Sequence, residues 1–527
     1  MQQNPSRLLR RALSAYEAGE LAKAERSFAA VLQREPRNFD ALHGLGLIHY
    51  RRGRLDAALA LIQTALQADL ARADGFSSLG LVFLALKDFA RALTCFDEGL
   101  RLAPDDAELT NRRGVALLEL GRAAEALAAF DRVLAGDETH LEALGNRGNA
   151  LLKLNRPADA LESYDRALTL APDNAQLLTN RAVALRRLDR PQEAVIGARR
   201  ALLSRPDFAQ AQFVEAVARL TLGDFSAWRG YEARWSVGAA AGKQRGFTAP
   251  LWLGEQSLAG KTILLHAEQG FGDTIQFVRY APLVAARGAT VILEVQPALK
   301  RLLTATAGVA AVIGRGEPLP AFDSHCPLLS LPLAFATDAA TIPSGVPYIA
   351  PAAADVAHWR QRLPQRRPRI GLVWSGERSH DNDLNRSLRF EALQSLFDLP
   401  DLTFVSLQHE VRDADASFLR EHPAVVSIGE DFVDFADTAA AISLLDAVIA
   451  ADTAVAHLAG AMGKPLMLLL PFGADFRWLR ERSDSPWYPS ARLYRQPAFG
   501  DWAAVVDLLR RDLAQRLRAS SERKLSA

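Results

Sequence analysis

Small, bulky and helix-breaking residues recur along the first 208 positions with a 34-residue period. Small residues fall at Gly46, Gly80, Gly114, Gly148 and Ala182. A second series runs Ala24, Ala58, Ala92, Ala126, Ala160 and Ala194, and a bulkier one Phe28, Ile62, Phe96, Phe130 and Tyr164. Prolines close units at Pro36, Pro104, Pro172 and Pro206, and Gly19, Gly53, Gly121 and Gly223 mark turns. The period predicts two helices of roughly 14 residues per unit: small residues let the helices approach and the bulky residue fills the gap between them. The pattern is lost between Gly223 and Trp235. After an aperiodic linker at 236–258, short β-rich runs at 262–267, 290–296 and 325–331 alternate with helical ones. A second set follows at 369–374, 402–407, 447–451 and 466–470. Near-continuous apolar strands separated by helices predict parallel sheets covered on both faces, here two lobes with a hinge near 350–369. Ligands bind such sheets at the carboxyl ends of their strands.

Composition narrows the class. The 527 residues carry 62 Lys and Arg against 61 Asp and Glu, and 49% are hydrophobic. Residues 1–235 hold 32 basic and 30 acidic side chains, so neither half forms the basic block that a nucleic-acid backbone demands. The longest strongly apolar run, 465–472, has the length of a buried strand and not of a bilayer span. The opening residues contain no apolar signal core, so a cytoplasmic chain without stable membrane insertion is expected. Two cysteines, Cys95 and Cys326, exclude a disulfide framework and a CxxC zinc site. Cys95 reads as a packed small hydrophobe.

Three constellations carry candidate chemistry. In His266-Ala267-Glu268-Gln269-Gly270-Phe271-Gly272-Asp273-Thr274-Ile275-Gln276-Phe277 a strand ends, two glycines permit a tight turn and a helix starts at Asp273. It is not a dinucleotide fingerprint, because Ile275 stands where the third glycine belongs. Asp273 reads either as a helix N-cap or as a cleft-facing base that takes a proton from an acceptor hydroxyl. In Ala451-Asp452-Thr453-Ala454-Val455-Ala456-His457 a buried strand delivers a hydroxyl and free backbone N–H groups to a helix start, which suits a diphosphate. Asp452 would hold a ribose hydroxyl or cap the helix. His457 shares the helix face of Thr453, where a structural histidine serves as well. In the third, Trp374-Ser375-Gly376 leads into a polar loop with Asn385-Arg386-Ser387, and Arg386 can chelate two phosphate oxygens. Asp381-Asn382-Asp383 in that loop lacks a further carboxylate or His spaced to complete a metal site.

The period and its three position series resemble the tetratricopeptide repeat, with six full repeats over 5–208 and a degenerate seventh ending near Trp235. The resemblance implies a groove for a protein or peptide. It also gives Asn146 and Asn180, at one repeat position, the choice between bonding that ligand's backbone and standing solvated. Residues 261–510 resemble the heptosyltransferase-type glycosyltransferases, through Gly270-Phe271-Gly272-Asp273, the motif from Asp452 to Ala459, and the segment running from Leu470-Pro471-Phe472-Gly473 through Ser485-Pro486-Trp487-Tyr488-Pro489. That implies an all-α array (1–235), a linker (236–258) and a GT-B domain of two Rossmann-like lobes (259–350 on the acceptor side, 351–510 on the donor side), with a basic tail (511–527). It implies inverting transfer from a nucleotide sugar without metal or resident cofactor, with Asp273 as base. Donor contacts would come from Ser375, Gly376, Arg386, Gln408, Asp452, Thr453, Ala454 and His457. Gln269, Gly270, Gly272 and Gln276 would form the acceptor-side loop. One departure stands out: where that family carries a phosphate-binding Lys, the nearest cation here is Arg386 in a longer loop. Two other readings are an interaction scaffold with an inactive second half and a transferase acting on an envelope glycolipid, for which 510–524 is the candidate surface helix.

Overall fold

The structure, a computed structural model, describes residues 5–237, 244–380 and 382–525. Helices pair along the repeats, from Pro5–Glu17 with Leu21–Leu32 onward. Asn38, Asp88 and Asp106 each cap a repeat helix by accepting a backbone N–H three residues ahead, so the polar residues before the apolar periods define where helices begin. The small series exists for packing. A Cβ at Gly80 would lie 2.4 Å from the Phe96 ring, and one at Gly148 2.4 Å from Tyr164. The turn between paired helices needs a left-handed residue, and Gly19, Gly53, Gly121 and Gly223 supply it with φ near 71 to 81°. The same turn is made by Lys87, Asn155 and Asp189 at φ 59, 57 and 52°, three positions without the glycine signature.

The chain divides into two compact units between Asn180 and Arg181. In the first, Phe28, Ile62, Phe96, Phe130 and Tyr164 are fully buried between helices. The second unit begins inside the helix Ala175–Arg187 and keeps the repeat helices Pro191–Ser204 and Ala209–Thr221. In place of a further long helix it has two short 3-10 turns, Phe225–Ala227 and Glu232–Ser236, around Trp228–Tyr231. This is the stretch that the sequence reads as a degenerate seventh unit.

Two parallel sheets follow. The first comprises β1 (Thr262–His266), β2 (Thr290–Val295), β3 (Val309–Gly314) and β4 (Ser324–Pro327) in the order β3-β2-β1-β4. The second comprises β5 (Arg369–Val373), β6 (Thr403–Ser406), β7 (Val425–Ser427), β8 (Ala447–Ala451), β9 (Leu466–Leu470) and β10 (Ala491–Arg495), ordered β10-β9-β8-β5-β6-β7. β1, β5, β8 and β9 are buried nearly throughout, as strands covered on both faces must be. In the second sheet the order reverses between β5 and β8, which places a crevice beyond their carboxyl ends.

Several boundaries differ from the sequence reading. The run 325–331 is a strand only to Pro327 and then turns through Leu328–Ser330 into Leu331–Ala334, because Pro332 opens a helix better than it continues a strand. β7 and β10 carry no long apolar run, β7 having three residues, and β3, though apolar in sequence, is half exposed. The hinge stretch contains the helix Ala353–Arg362, held by the buried Trp359. The linker contributes to the first sheet: Leu251 bridges to His325, and Trp252 is 1% exposed. Residues 238–243 of the linker lie outside the described residues. The final helix, Trp502–Leu525, runs through residue 510, with Leu509 and Leu513 buried, so the tail starts as part of the second sheet's layer.

Candidate functional site

Gly270, not Asp273, is the N-cap of the helix Phe271–Phe277. Asp273 is the third helical residue, and its Oδ2 accepts the Gly270 N–H at 2.9 Å. The helix therefore starts two residues earlier than the sequence suggests, since the carboxylate reaches back to cap it. Asp273 Oδ1 is ion-paired with Arg477. Arg477 also donates to Gln276 Oε1 at 2.6 Å and pairs with Asp475 at 2.8 Å. Burial works to lower the Arg477 pKa, but Asp475 and Asp273 raise it on balance.

The two glycine- and aspartate-bearing motifs meet. A Cβ on Gly272 would fall 2.7 Å from His457 Cδ2, so the helix starts that follow β1 and β8 touch and only glycine fits between them. His457 Nδ1 lies 2.9 Å from the Tyr488 hydroxyl, and its ring stacks on Trp478 with centroids 5.3 Å apart. Burial, reinforced by Arg477, lowers its pKa to about 3, so the imidazole is neutral and its 3.8 Å approach to Asp452 is not an ion pair. Asp452 accepts the Trp478 indole N–H at 2.9 Å. Burial, with Asp475 nearby, raises its pKa to about 6.

Beyond the carboxyl ends of β5 and β8 lies a set of unsatisfied donors. Ser375 Oγ, Thr453 Oγ1 and Arg386 Nε are buried without a hydrogen-bond partner among the described residues. Thr453 is the N-cap residue of the helix Ala454–Ala461, yet its side chain makes no capping bond. Arg386 Nη1 donates to the Asp452 carbonyl at 3.1 Å, and a Cβ on Gly376 would lie 2.5 Å from Arg386 Nη2. Gln408 is fully engaged: its Nε2 donates to the Ser375 carbonyl at 3.0 Å and its Oε1 accepts from Trp374 and Ser375 N–H. It braces the Ser375 turn. Gln269 offers its carbonyl to Gln296, and Gln276 is fully buried. Asp383 pairs with Arg412 at 2.6 Å and accepts from Ser387 at 2.6 Å; Asp381 lies outside the described residues. Among the described residues no group of three His, Cys, Asp or Glu side chains is placed to hold a metal ion.

In the repeats, polar residues bond across successive units. His43 Nε2 lies 2.8 Å from Ser78 Oγ, Arg112 donates to Ser77 at 2.5 Å, and Asn146 Nδ2 donates to Asn111 Oδ1 at 3.2 Å. Asn180 donates to Asn149 at 2.9 Å and accepts from Gln176 at 2.8 Å. Asn146 and Asn180 thus make inter-repeat and intrahelical bonds.

Four residues central to this geometry had no role assigned from sequence. Arg477 and Trp478 lie within the segment 470–489, which carries the family resemblance without giving either a role. Glu268, its side chain 4% exposed, accepts from Arg234 Nη2 at 3.1 Å; burial raises its pKa to about 7 against the pull of Arg234. Arg234 itself is 1% exposed. A buried Arg answering a carboxylate some 30 residues away is invisible to local spacing.

The tetratricopeptide repeat model matches residues 9–73, 78–140 and 141–174, so the N-terminal region carries tetratricopeptide repeats. The chain is similar to Protein FlbA of Caulobacter vibrioides, 26% identical over 321 residues. That match covers 56% of this chain and 53% of FlbA, so the chain spans about half the length of that relative. A tetratricopeptide repeat protein from Parabacteroides merdae is 19% identical, covering 44% of this chain and 93% of that one at a TM-score of 0.39. TTC0263, a repeat protein of Thermus thermophilus, is 25% identical over 34% of this chain and 99% of its own, with a TM-score of 0.30. Among the described residues no helix is long and apolar enough to cross a membrane.

Proposed function

We propose that the repeats bind a protein or peptide and that the α/β part is a GT-B glycosyltransferase, inverting and metal-independent, acting on the molecule the repeats hold. The observation that carries this reading is the unpartnered donor set of Ser375, Thr453 and Arg386 at the crevice between β5 and β8. Buried donors without partners are rare and costly, and a diphosphate supplies the acceptors they lack. In the proposed reaction the acceptor hydroxyl gives its proton to Asp273 as its oxygen bonds the anomeric carbon. The bond from that carbon to the diphosphate breaks on the opposite face, and the N-terminus of Ala454–Ala461 and Arg386 receive the charge. Asp273 has both oxygens engaged, yet each retains a second lone pair for the acceptor proton.

A scaffold with a non-catalytic α/β part is favoured by one observation, the ion pair that already occupies Asp273. Screening nucleotide sugars by thermal shift separates the two. A donor at a hundredfold its Kd adds about 2.7 kcal/mol of stability, and its turnover with acceptor marks the enzyme. No shift with any nucleotide sugar or nucleoside diphosphate would remove the transferase reading.

A further inference from the structure

The segment between β9 and β10 touches the last repeat on one side and the crevice on the other. Toward the crevice, Arg477 holds Asp273 and Gln276, and Trp478 holds Asp452 and stacks on His457. Toward the repeats there are three anchors. Arg480 forms a two-pronged pair with Asp189 at 2.9 and 3.0 Å and reaches Gln192 at 3.4 Å. Gly473 lies against the end of Ala175–Arg187 so closely that a Cβ would sit 2.5 Å from the Arg187 carbonyl oxygen. Phe476 packs edge-on against Trp228 at 5.8 Å and Tyr231 at 5.6 Å.

The backbone there is held away from its relaxed form. Leu479 has φ 51° and ψ −164°, and Glu481 has φ 53°, so both neighbours of the anchored Arg480 sit where side chains rarely go. Such residues persist only where surrounding contacts over-determine them. Asp189 is itself telling. It occupies the left-handed turn that glycine fills in four sister units, at φ 52°, and the carboxylate it adds there is spent on Arg480.

We propose that Asp189, Arg480 and Gly473 are positioning residues: they form a strut through which the last full repeat sets Arg477 and Trp478 against Asp273 and Asp452. The inference rests on the proposed transferase reading for its catalytic consequence, though not for its structural one. It makes the last repeat part of the catalytic unit and gives the repeats a route to alter turnover as well as binding.

Asp189→Gly is the discriminating variant, because glycine suits the turn and only the carboxylate is lost. Hydrogen exchange and donor kinetics are measured on the full chain for Asp189→Gly, Arg480→Ala and Gly473→Ala. The expected result is an unchanged melting temperature for Asp189→Gly and exchange about tenfold faster both at 471–481 and at Phe271–Phe277. A several-fold fall in kcat should accompany little change in nucleoside diphosphate affinity. Unchanged exchange at Phe271–Phe277 in all three variants overturns the strut. If exchange changes as expected while the unmodified chain turns over no nucleotide sugar, the strut stands and the transferase reading falls.

Discussion

Trp478 donates its indole N–H to Asp452 Oδ2 at 2.9 Å, from a segment that follows β9 to the residue that directly follows β8. The bond lowers the Asp452 pKa, but burial outweighs it and the result is about 6. The folded chain therefore binds a proton at Asp452 between about pH 4 and 6 that the unfolded chain has released. Its contribution to stability falls as pH rises through that window. Asp452→Asn removes the penalty while keeping an acceptor for Trp478. It should match the parent below pH 4 and melt a few degrees higher above pH 6, with weaker donor binding. Melting curves from pH 4 to 8 check this, and an Asn variant that melts lower at pH 7.5 would show that the charge is compensated.

Ser375 Oγ and Thr453 Oγ1 make no hydrogen bond to any of the described residues. Ser375→Ala and Thr453→Val should therefore be neutral or stabilising by about 1 kcal/mol, since each removes a buried unsatisfied group. Both should weaken nucleoside diphosphate binding severalfold. Calorimetry with the free diphosphate decides it, and destabilised variants with unaltered affinity would place the hydroxyls in folding alone.

Arg386→Ala should weaken nucleoside diphosphate binding by about 1.5–3 kcal/mol, the loss of a charge-assisted contact. Chelator should leave activity unchanged. A requirement for magnesium or manganese would return the Asp381-Asn382-Asp383 loop to consideration.

Asp273→Asn takes one of two carboxylates from Arg477, whose side chain is 9% exposed, so a loss of about 1–3 kcal/mol of stability is expected. Turnover should fall by roughly a hundredfold or more. A destabilised variant with normal turnover would reduce Asp273 to an anchor for Arg477 and a cap for its helix.

Where the chain is cut should matter more than the sequence pattern suggests. A chain starting at Gln244 loses Trp228, which donates to the Thr337 carbonyl at 3.1 Å, and Arg234, the cation on buried Glu268. It should aggregate or fail to bind nucleotide, because an uncompensated buried carboxyl is strongly destabilising. A chain starting at Ala175 keeps both and should melt cooperatively. Equal behaviour of the two truncations in calorimetry would contradict this.

Sequence alone determined everything that depends on period and composition. The series from Gly46 to Ala182 and from Phe28 to Tyr164 specify paired helices, because a small residue facing a large one is a local requirement repeated every 34 positions. The buried runs of β1, β5, β8 and β9, and the turns that carry Ser375, Asp273 and Thr453 beyond strand ends, were legible for the same reason. What tertiary structure decided lies in contacts between residues far apart in sequence. Asp273 was legible as a helix-start carboxylate but not as the partner of Arg477, 204 positions away. Asp189 reads as a glycine substitute in a repeat turn until Arg480 closes on it. The short β7 is not legible because a strand on a sheet margin needs little apolar surface to join its neighbour, and β3 because its apolar run holds two alanines between glycines, a weak strand signal. Local spacing encodes faces and caps; only the folded chain decides which buried charge answers which, because that pairing depends on distances that no periodicity carries.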